Sequence, residues 1–318
     1  MLKLTRALFA VTGDVAYADY DESTFLNSVL ASQNPETGMV TYFQPQRAGY
    51  AKVYGEPFDE FWCDHGTGVE SFTKLGEGIY ALAADAVIVN RFCAGELRVP
   101  ERGLRLVQRA DIPREETVRI AVTALDGGVA MPTRLRLRVP SWLAAPPTLS
   151  VNDVPQQIVV DAGYLEVEVR AGDEVAYVLP AEVRIAAPSE NPDWVAFRYG
   201  PVLLAAELSR QNVDETYTAG VLVRMSTPDP RLKGEVVVDD PALWRTGIRA
   251  HLVRRDDGPD AGGLPDLRFA LRQVDAAAAA LVWQPYYRLH GARYATAVTL
   301  VAARGPSRLV DGTIDSSP

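Results

Sequence analysis

Cysteine is almost missing from this chain of 318 residues, which has only Cys63 and Cys93. Two thiols exclude a disulfide framework, and they exclude a four-cysteine zinc site built from this chain alone. Basic residues are short as well, 32 against 41 acids, for a net charge of -9. Nucleic acid and anionic membrane surfaces both call for a basic face, so neither is expected as a partner. No apolar run approaches the roughly 18 residues a membrane-crossing helix needs. What remains is a globular composition, 47% hydrophobic and 23% charged, at a length that suggests two domains or three small ones.

The start of the chain imitates a signal peptide. Met1 to Arg6 is followed by Ala7-Leu-Phe-Ala-Val11, with Ala16-Tyr17-Ala18 downstream. That apolar stretch is about five residues, shorter than a working h-region. The same residues fit an amphipathic helix with Leu4, Ala7, Leu8 and Val11 on one face and Gly13 at its end. A cytoplasmic location is the expectation. Helical spacing continues over residues 17–32, with Phe25, Leu26, Val29 and Leu30 as the apolar positions, and again from Gly66-Thr67-Gly68 to Leu82. Short strands are predicted at 39–43 and 49–54.

Near residue 85 the period changes to two. Residues 86–92, 117–123, 134–139, 164–169 and 174–179 alternate between apolar and polar, separated by Gly, Pro and Asp turns. That is the pattern of an antiparallel sandwich, ending near Pro188. Residues 189–318 read as a second, loop-rich β module, with Gly258, Gly262, Gly263 and Pro265 in the loops, His251 solvated, and Ala276 to Ala280 either a helical turn or a loop. The division expected is 1–84, 85–188 and 189–318.

The residues that can carry chemistry are concentrated in Phe61-Trp-Cys-Asp-His-Gly-Thr-Gly-Val-Glu70. A thiol, two carboxylates and an imidazole fall within eight positions, at the opening of a predicted helix. The positive end of a helix dipole favours thiolate, which is both a nucleophile and a soft zinc ligand. The competing reading is a small buried hydrophobe with a packed histidine. Glu56, Asp59 and Glu60 just ahead are candidates for a sugar site or plain exposed acids. Tyr42, Tyr50, Tyr54, Trp62 and Phe72 are candidates for ring stacking or core. Cys93, on a predicted strand, reads as core.

Several segments in order resemble a known family: Leu30-Ala-Ser-Gln-Asn-Pro-Glu-Thr-Gly38, Gly38-Met-Val-Thr-Tyr-Phe-Gln-Pro45, Gly49-Tyr-Ala-Lys-Val-Tyr-Gly55, Phe61-Trp-Cys63, Gly66-Thr-Gly-Val-Glu70 and Leu289-His-Gly-Ala-Arg-Tyr294. They are similar to the β-L-arabinofuranosidases, glycoside hydrolase family 127 and its relatives. The resemblance is dense over residues 1 to about 100 and thinner afterwards. It implies an α+β multidomain fold, with the last helices of an (α/α)6 toroid followed by antiparallel β-sandwich modules. It implies a retaining glycosidase acting on an L-arabinofuranoside-type glycan, with zinc as cofactor. Cys63 matches the family's nucleophilic cysteine, which also binds the metal. Asp64 stands where the family has a second cysteine and becomes the other ligand on this segment. Tyr42, Trp62, His65 and Glu70 become the substrate-binding candidates. The family's remaining ligands and its acid/base glutamate lie upstream of the segment that Met1 begins, so weak or absent activity is expected of this chain. Helices separated from their neighbours leave Leu4, Leu8, Phe25 and Leu26 uncovered, which predicts association between copies. The alternative from another class is a non-catalytic protein that binds carbohydrate or a partner through its β-sandwich surface.

Overall fold

The computed structural model describes residues 1–126, 129–220, 222–256, 258 and 266–303. Two helices open the chain, Leu2–Thr12, closed at Gly13, and Val15–Thr24, which Asp14 caps through Ala16 N. The second continues through a π-type turn, Phe25–Val29, into Leu30–Ser32. Its buried face is polar. Asp21, Glu22 and Asn27 are buried, whereas Phe25, Leu26, Val29 and Leu30 are half-buried. The first helix turns Leu4, Leu8 and Val11 to solvent and buries Thr5. Helical periodicity located both elements, and the direction each one faces is set by charge.

The third helix corrects the sequence reading. It starts at Cys63, ahead of the glycines, and ends at Thr73, while Tyr80–Leu82 is an edge strand on Ala86–Val89. Gly76 and Gly78 break the helix between them. Gly78 sits at φ 80°, and a Cβ there would come within 2.9 Å of Arg6 and Asp21, so the chain passes close to that ion pair only because no side chain intervenes. Residues 39–43 and 49–54 do not form a regular ladder. Thr41 meets Tyr54 in an isolated bridge, and Tyr50–Ala51 instead pairs with Arg293–Ala295.

Residues 80–178 supply two sheets. One has the order Val160–Asp161, Tyr164–Val169, Thr133–Arg138, Ala86–Val89, Tyr80–Leu82, with one parallel pair, Ala86–Val89 on Thr133–Arg138. The other is antiparallel throughout, in the order Cys93–Val99, Leu104–Asp111, Thr117–Ala124, Glu174–Val178, Thr148–Val151, Val154–Pro155. Their alternating inward residues share one core, Val87, Val89, Leu135, Leu137 and Leu165 from the first and Leu106, Ile120, Val122, Val175 and Tyr177 from the second. Val183 belongs to the next core, under a ten-stranded sheet that includes Val183–Ala186, Trp194–Tyr199, Val202–Ser209 and Val298–Ala302. His251 is buried there, stacked on Trp244 at 5.2 Å, contrary to the solvated position expected from its loop-rich neighbourhood. Ala276–Ala279 is a helical turn capped by Asp275. Gly262, Gly263 and Pro265 lie outside the described residues.

Buried charge joins the helices to the first β region, and an amide with apolar packing joins them to the second. Arg138 is wholly buried and pairs with Asp19 and, at 2.6 Å, with Glu22, while its Nε donates to Asn90 O. Trp142 Nε1 donates to the same Glu22 at 2.7 Å. Asp21 takes Arg91 and, at 2.8 Å, Arg6. On the other side, Asn27 donates to Pro201 O and accepts from Leu203 N–H, and Ala31 packs with Ala205, Tyr286, Leu289 and Tyr294. Replacing Arg138 with Met should strand two carboxylates at this seam and destabilise the fold by ~3–5 kcal/mol. A urea titration of Arg138→Met measures this, and a midpoint equal to wild type would show that the pair holds nothing together.

Candidate active site

Trp62 is the N-cap of the helix Cys63–Thr73, with extended backbone at φ -94° and ψ 179°. Its side chain is no capping group. The cap comes from His65, whose Nδ1 accepts the Trp62 N–H at 2.9 Å, which puts the ring proton on Nε2. His65 is buried, and burial lowers its pKa against the opposing pull of Glu60 and Asp64. Room for the imidazole depends on Gly55, where a Cβ would come within 2.8 Å of the ring and 2.5 Å of Glu60 O. Cys63 is therefore the first helical residue, and it is solvent-exposed.

The Tyr42 hydroxyl lies 3.5 Å from Cys63 Sγ. That hydrogen bond, then desolvation and the charges on Cys63 and Asp64, raise the Tyr42 pKa to about 12. The phenol keeps its proton at neutral pH, so it is the donor when the sulfur is a thiolate. Tyr42 also stands edge-on to His65 at 5.6 Å and to Phe43 at 4.7 Å. Tyr42, Cys63, Asp64 and His65 thus form one cluster beside Trp62. Glu70, two turns along the helix, is bound by Lys3 at 2.5 Å and Lys74 at 2.8 Å, whose hydrogen bonds hold its carboxyl at about 2. Glu56 and Glu60 are taken by Arg224 at 2.9 and 2.5 Å, and Asp59 is exposed. Tyr54 bonds His290 Nδ1 at 2.5 Å, and His290 Nε2 donates to Tyr287 O at 2.7 Å. Cys93 is half-buried at the start of its strand, and desolvation raises its thiol pKa.

Residues 1–77 match the GH127 catalytic domain of the β-L-arabinofuranosidases, and residues 86–181 match the GH127 middle domain, together more than half of the chain. The chain belongs to glycoside hydrolase family 127. A solved glycoside hydrolase shares 19% identity and a TM-score of 0.66, covering 95% of this chain and 51% of its own. A GH127 β-L-arabinofuranosidase from Geobacillus stearothermophilus T6 shares 18% and 0.63, covering 94% and 48%. A further GH127 β-arabinofuranosidase shares 20% and 0.62, again covering 94% and 48%. At these identities the likeness is one of fold, a mixed α+β architecture made mostly of sheets. This chain spans about half the length of those structures. No curated protein sequence matches it.

The GH127 resemblance brings zinc with it, and the donor set can be tested against that. Cys63 and Asp64 are adjacent donors at the helix N-terminus. Among the described residues, no three His, Cys, Asp or Glu side chains are grouped to hold a metal. His65, the nearest imidazole, spends Nδ1 on the Trp62 N–H and is buried. A four-coordinate zinc site wants four donors, and the described residues supply two, so they do not fit the group.

Lys52 escaped the sequence reading. It is buried, its Nζ donates to Tyr286 O at 3.0 Å and lies 4.2 Å from the centre of that ring, and it makes no salt bridge among the described residues. One of four lysines, set between Tyr50 and Tyr54, was the available signal. Desolvation lowers its pKa to about 7, against roughly 10.4 when unfolded. Between those values the unfolded chain holds a proton that the folded chain has released, so stability from this group rises with pH from about 7 to 10. Below that window the buried ammonium costs its full desolvation. Urea midpoints of wild type and Lys52→Met at pH 6 and pH 9 should show the substitution to be most favourable at pH 6. An unchanged pH slope in Lys52→Met would assign the effect elsewhere.

Proposed function

We propose that this chain carries the nucleophile-bearing part of a retaining, β-L-arabinofuranosidase-like glycoside hydrolase, with Cys63 as the nucleophile. The observation that carries the reading is the exposed Cys63 sulfur at a helix N-terminus, with the Tyr42 hydroxyl 3.5 Å away. In this reading the opening helices are the end of an (α/α)6 toroid, and the two sheets over a common core are a β-sandwich module. The substrate is an L-arabinofuranoside-type glycan, met by Tyr42 and Trp62, with the buried His65 holding them from behind. The Cys63 thiolate attacks the anomeric carbon, the C–S bond forms as the glycosidic C–O bond breaks, and water then displaces the sulfur. Two inversions give net retention. Tyr42 donates to the sulfur and steadies its charge. Glu70 acts by fixing the helix to Lys3 rather than by touching the sugar.

The first displacement also needs a proton for the leaving oxygen. Glu70 is held ionised by Lys3 and Lys74, its carboxyl at about 2, and Glu56 and Glu60 are tied to one Arg224 guanidinium, away from the sulfur. An aryl arabinofuranoside, whose phenolate leaves without that proton, should therefore be cleaved slowly by the 318-residue chain, and natural arabinosides not measurably. The aryl activity should vanish in Cys63→Ala and fall in Tyr42→Phe. Cleavage indifferent to Cys63 would refute the nucleophile.

The family resemblance implies a zinc ion that would stabilise the thiolate, and two donors should hold it poorly. Metal analysis after dialysis is expected to find well under one zinc per chain. One tightly held zinc, lost in Asp64→Ala, would overturn this.

A further inference from the structure

The face of the ten-stranded sheet away from its core is covered at one end by the second helix and its continuation, through Ser23 and Asn27, and open at the Trp194 end. On Trp194–Tyr199, Val195 and Phe197 are buried in that core, so Trp194, Ala196 and Arg198 point the other way. Register sets Ala196 opposite Ala186 and Arg198 opposite Arg184, with Leu203 opposite Arg198 on the other neighbour. The outcome is a stripe, an indole, then two alanines, then two guanidiniums. Trp194, Ala186, Ala196 and Leu203 line a cavity of about 290 Å³ with Gln46 and Thr296, near the lower end of the range for small-molecule sites.

The two arginines are anomalous in this chain. Like charges directly opposite on a sheet repel; Arg109 and Arg119 also face each other, but there Glu174 answers Arg119. Buried Arg91 and Arg138 are neutralised by carboxylates, and Arg293 is enclosed by the carbonyls of Gln211, Gly49, Thr227 and Asn212. Arg184 donates only to Gly200 O at 3.1 Å and Arg198 to Ser23 Oγ at 3.0 Å, and neither makes a salt bridge among the described residues. The Arg184 Nε is buried with no hydrogen-bond partner among the described residues. Glu182 and Asp19 act on Arg184 from farther off and are already paired, with Arg249 and Arg138. Desolvation lowers the pKa of both arginines. A half-buried dication without an anion is costly, and an incoming oxyanion would relieve it.

We propose that this stripe is a subsite for a carboxylate-bearing glycan, with a sugar ring on the Trp194 indole and the carboxylate between Arg184 and Arg198. An indole face that is 43% exposed offers an apolar platform for the C–H face of a sugar. Guanidinium forks match a carboxylate in a bidentate geometry. Four residues of strand separate Trp194 from Arg198, roughly 13 Å, a span that suits a short oligosaccharide better than a single ring. The sugar half of this inference rests on the glycoside hydrolase reading, and the oxyanion half does not.

Calorimetry of the full chain with trigalacturonate, its methyl ester and inorganic phosphate tests both halves. It reads binding without turnover, so an inactive enzyme leaves it informative. The acid should bind roughly ten-fold tighter than the ester. Trp194→Ala, at an exposed position, should weaken it about five-fold. Arg198→Gln should abolish the preference for the acid over the ester, with thermal unfolding followed in parallel to confirm a folded variant. Equal affinity for acid and ester, no binding, or indifference to both substitutions would overturn the proposal. Phosphate binding as tightly as trigalacturonate, unaffected by Trp194→Ala, would overturn its sugar half and leave a bare oxyanion site.

Discussion

The structure depends on Arg138, a guanidinium with no exposed surface, set at the end of a core strand and facing a helix. Burying that charge carries a large desolvation cost, and only Asp19 and Glu22 in the right place offset it. Those two acids fix which face the second helix presents. With Asp21 facing Arg91 and Arg6, three carboxylates of one helix are committed to cations. The apolar residues of the same helix must then go elsewhere: Leu26 packs against the ten-stranded sheet and Phe25 lies under the Arg91 guanidinium at 4.2 Å. An apolar interface would tolerate rotation of the helix about its axis, whereas a paired and hydrogen-bonded one holds a single orientation.

Much of this was legible in the sequence where burial follows period. The five alternating segments predicted between 86 and 179 are strands at 86–89, 117–124, 133–138, 164–169 and 174–178, because a strand with one face in a core must alternate. The same logic misjudged the helices. Searching for an apolar stripe finds Leu4, Leu8 and Val11, which face solvent, and passes over Asp21 and Glu22, which face the core. A buried charge announces itself only when its partner is known, and Arg138 is more than a hundred residues away. His251 failed for a related reason. Its loop-rich setting is real, but the Trp244 ring that covers it comes from the preceding helical turn.

The candidate site divides along the same line. Cys63, Asp64 and His65 are adjacent in the chain, so their cluster could be read directly. The contact between Tyr42 and Cys63 bridges 21 positions and was not legible; the family resemblance made each a candidate separately. The engagement of Glu56, Glu60 and Glu70 by Arg224, Lys3 and Lys74 was not legible, since each depends on a fold-level neighbour. For Glu70 the pairing matters more for chemistry than the presence of the acid, because a carboxylate held at about 2 by two ammonium groups cannot readily give a proton.

How firmly Cys63, the proposed nucleophile, is held follows from which interactions reach its helix. Of the residues in Cys63–Thr73 only His65 is buried. The other ties are Glu70 to Lys3 and Lys74, exposed pairs that salt screens and that contribute little. The seam around Arg138 is buried and paired, while the Cys63 helix is held by one buried imidazole, fitted against Gly55 and bonded to the Trp62 N–H, and by Gly68 against Val40. Stability is distributed unevenly in such an arrangement, with the Cys63 segment at its low end. His65 is then the link between scaffold and chemistry. It sets where the helix begins, therefore where the Cys63 sulfur projects, and therefore whether the Tyr42 hydroxyl is within reach of it.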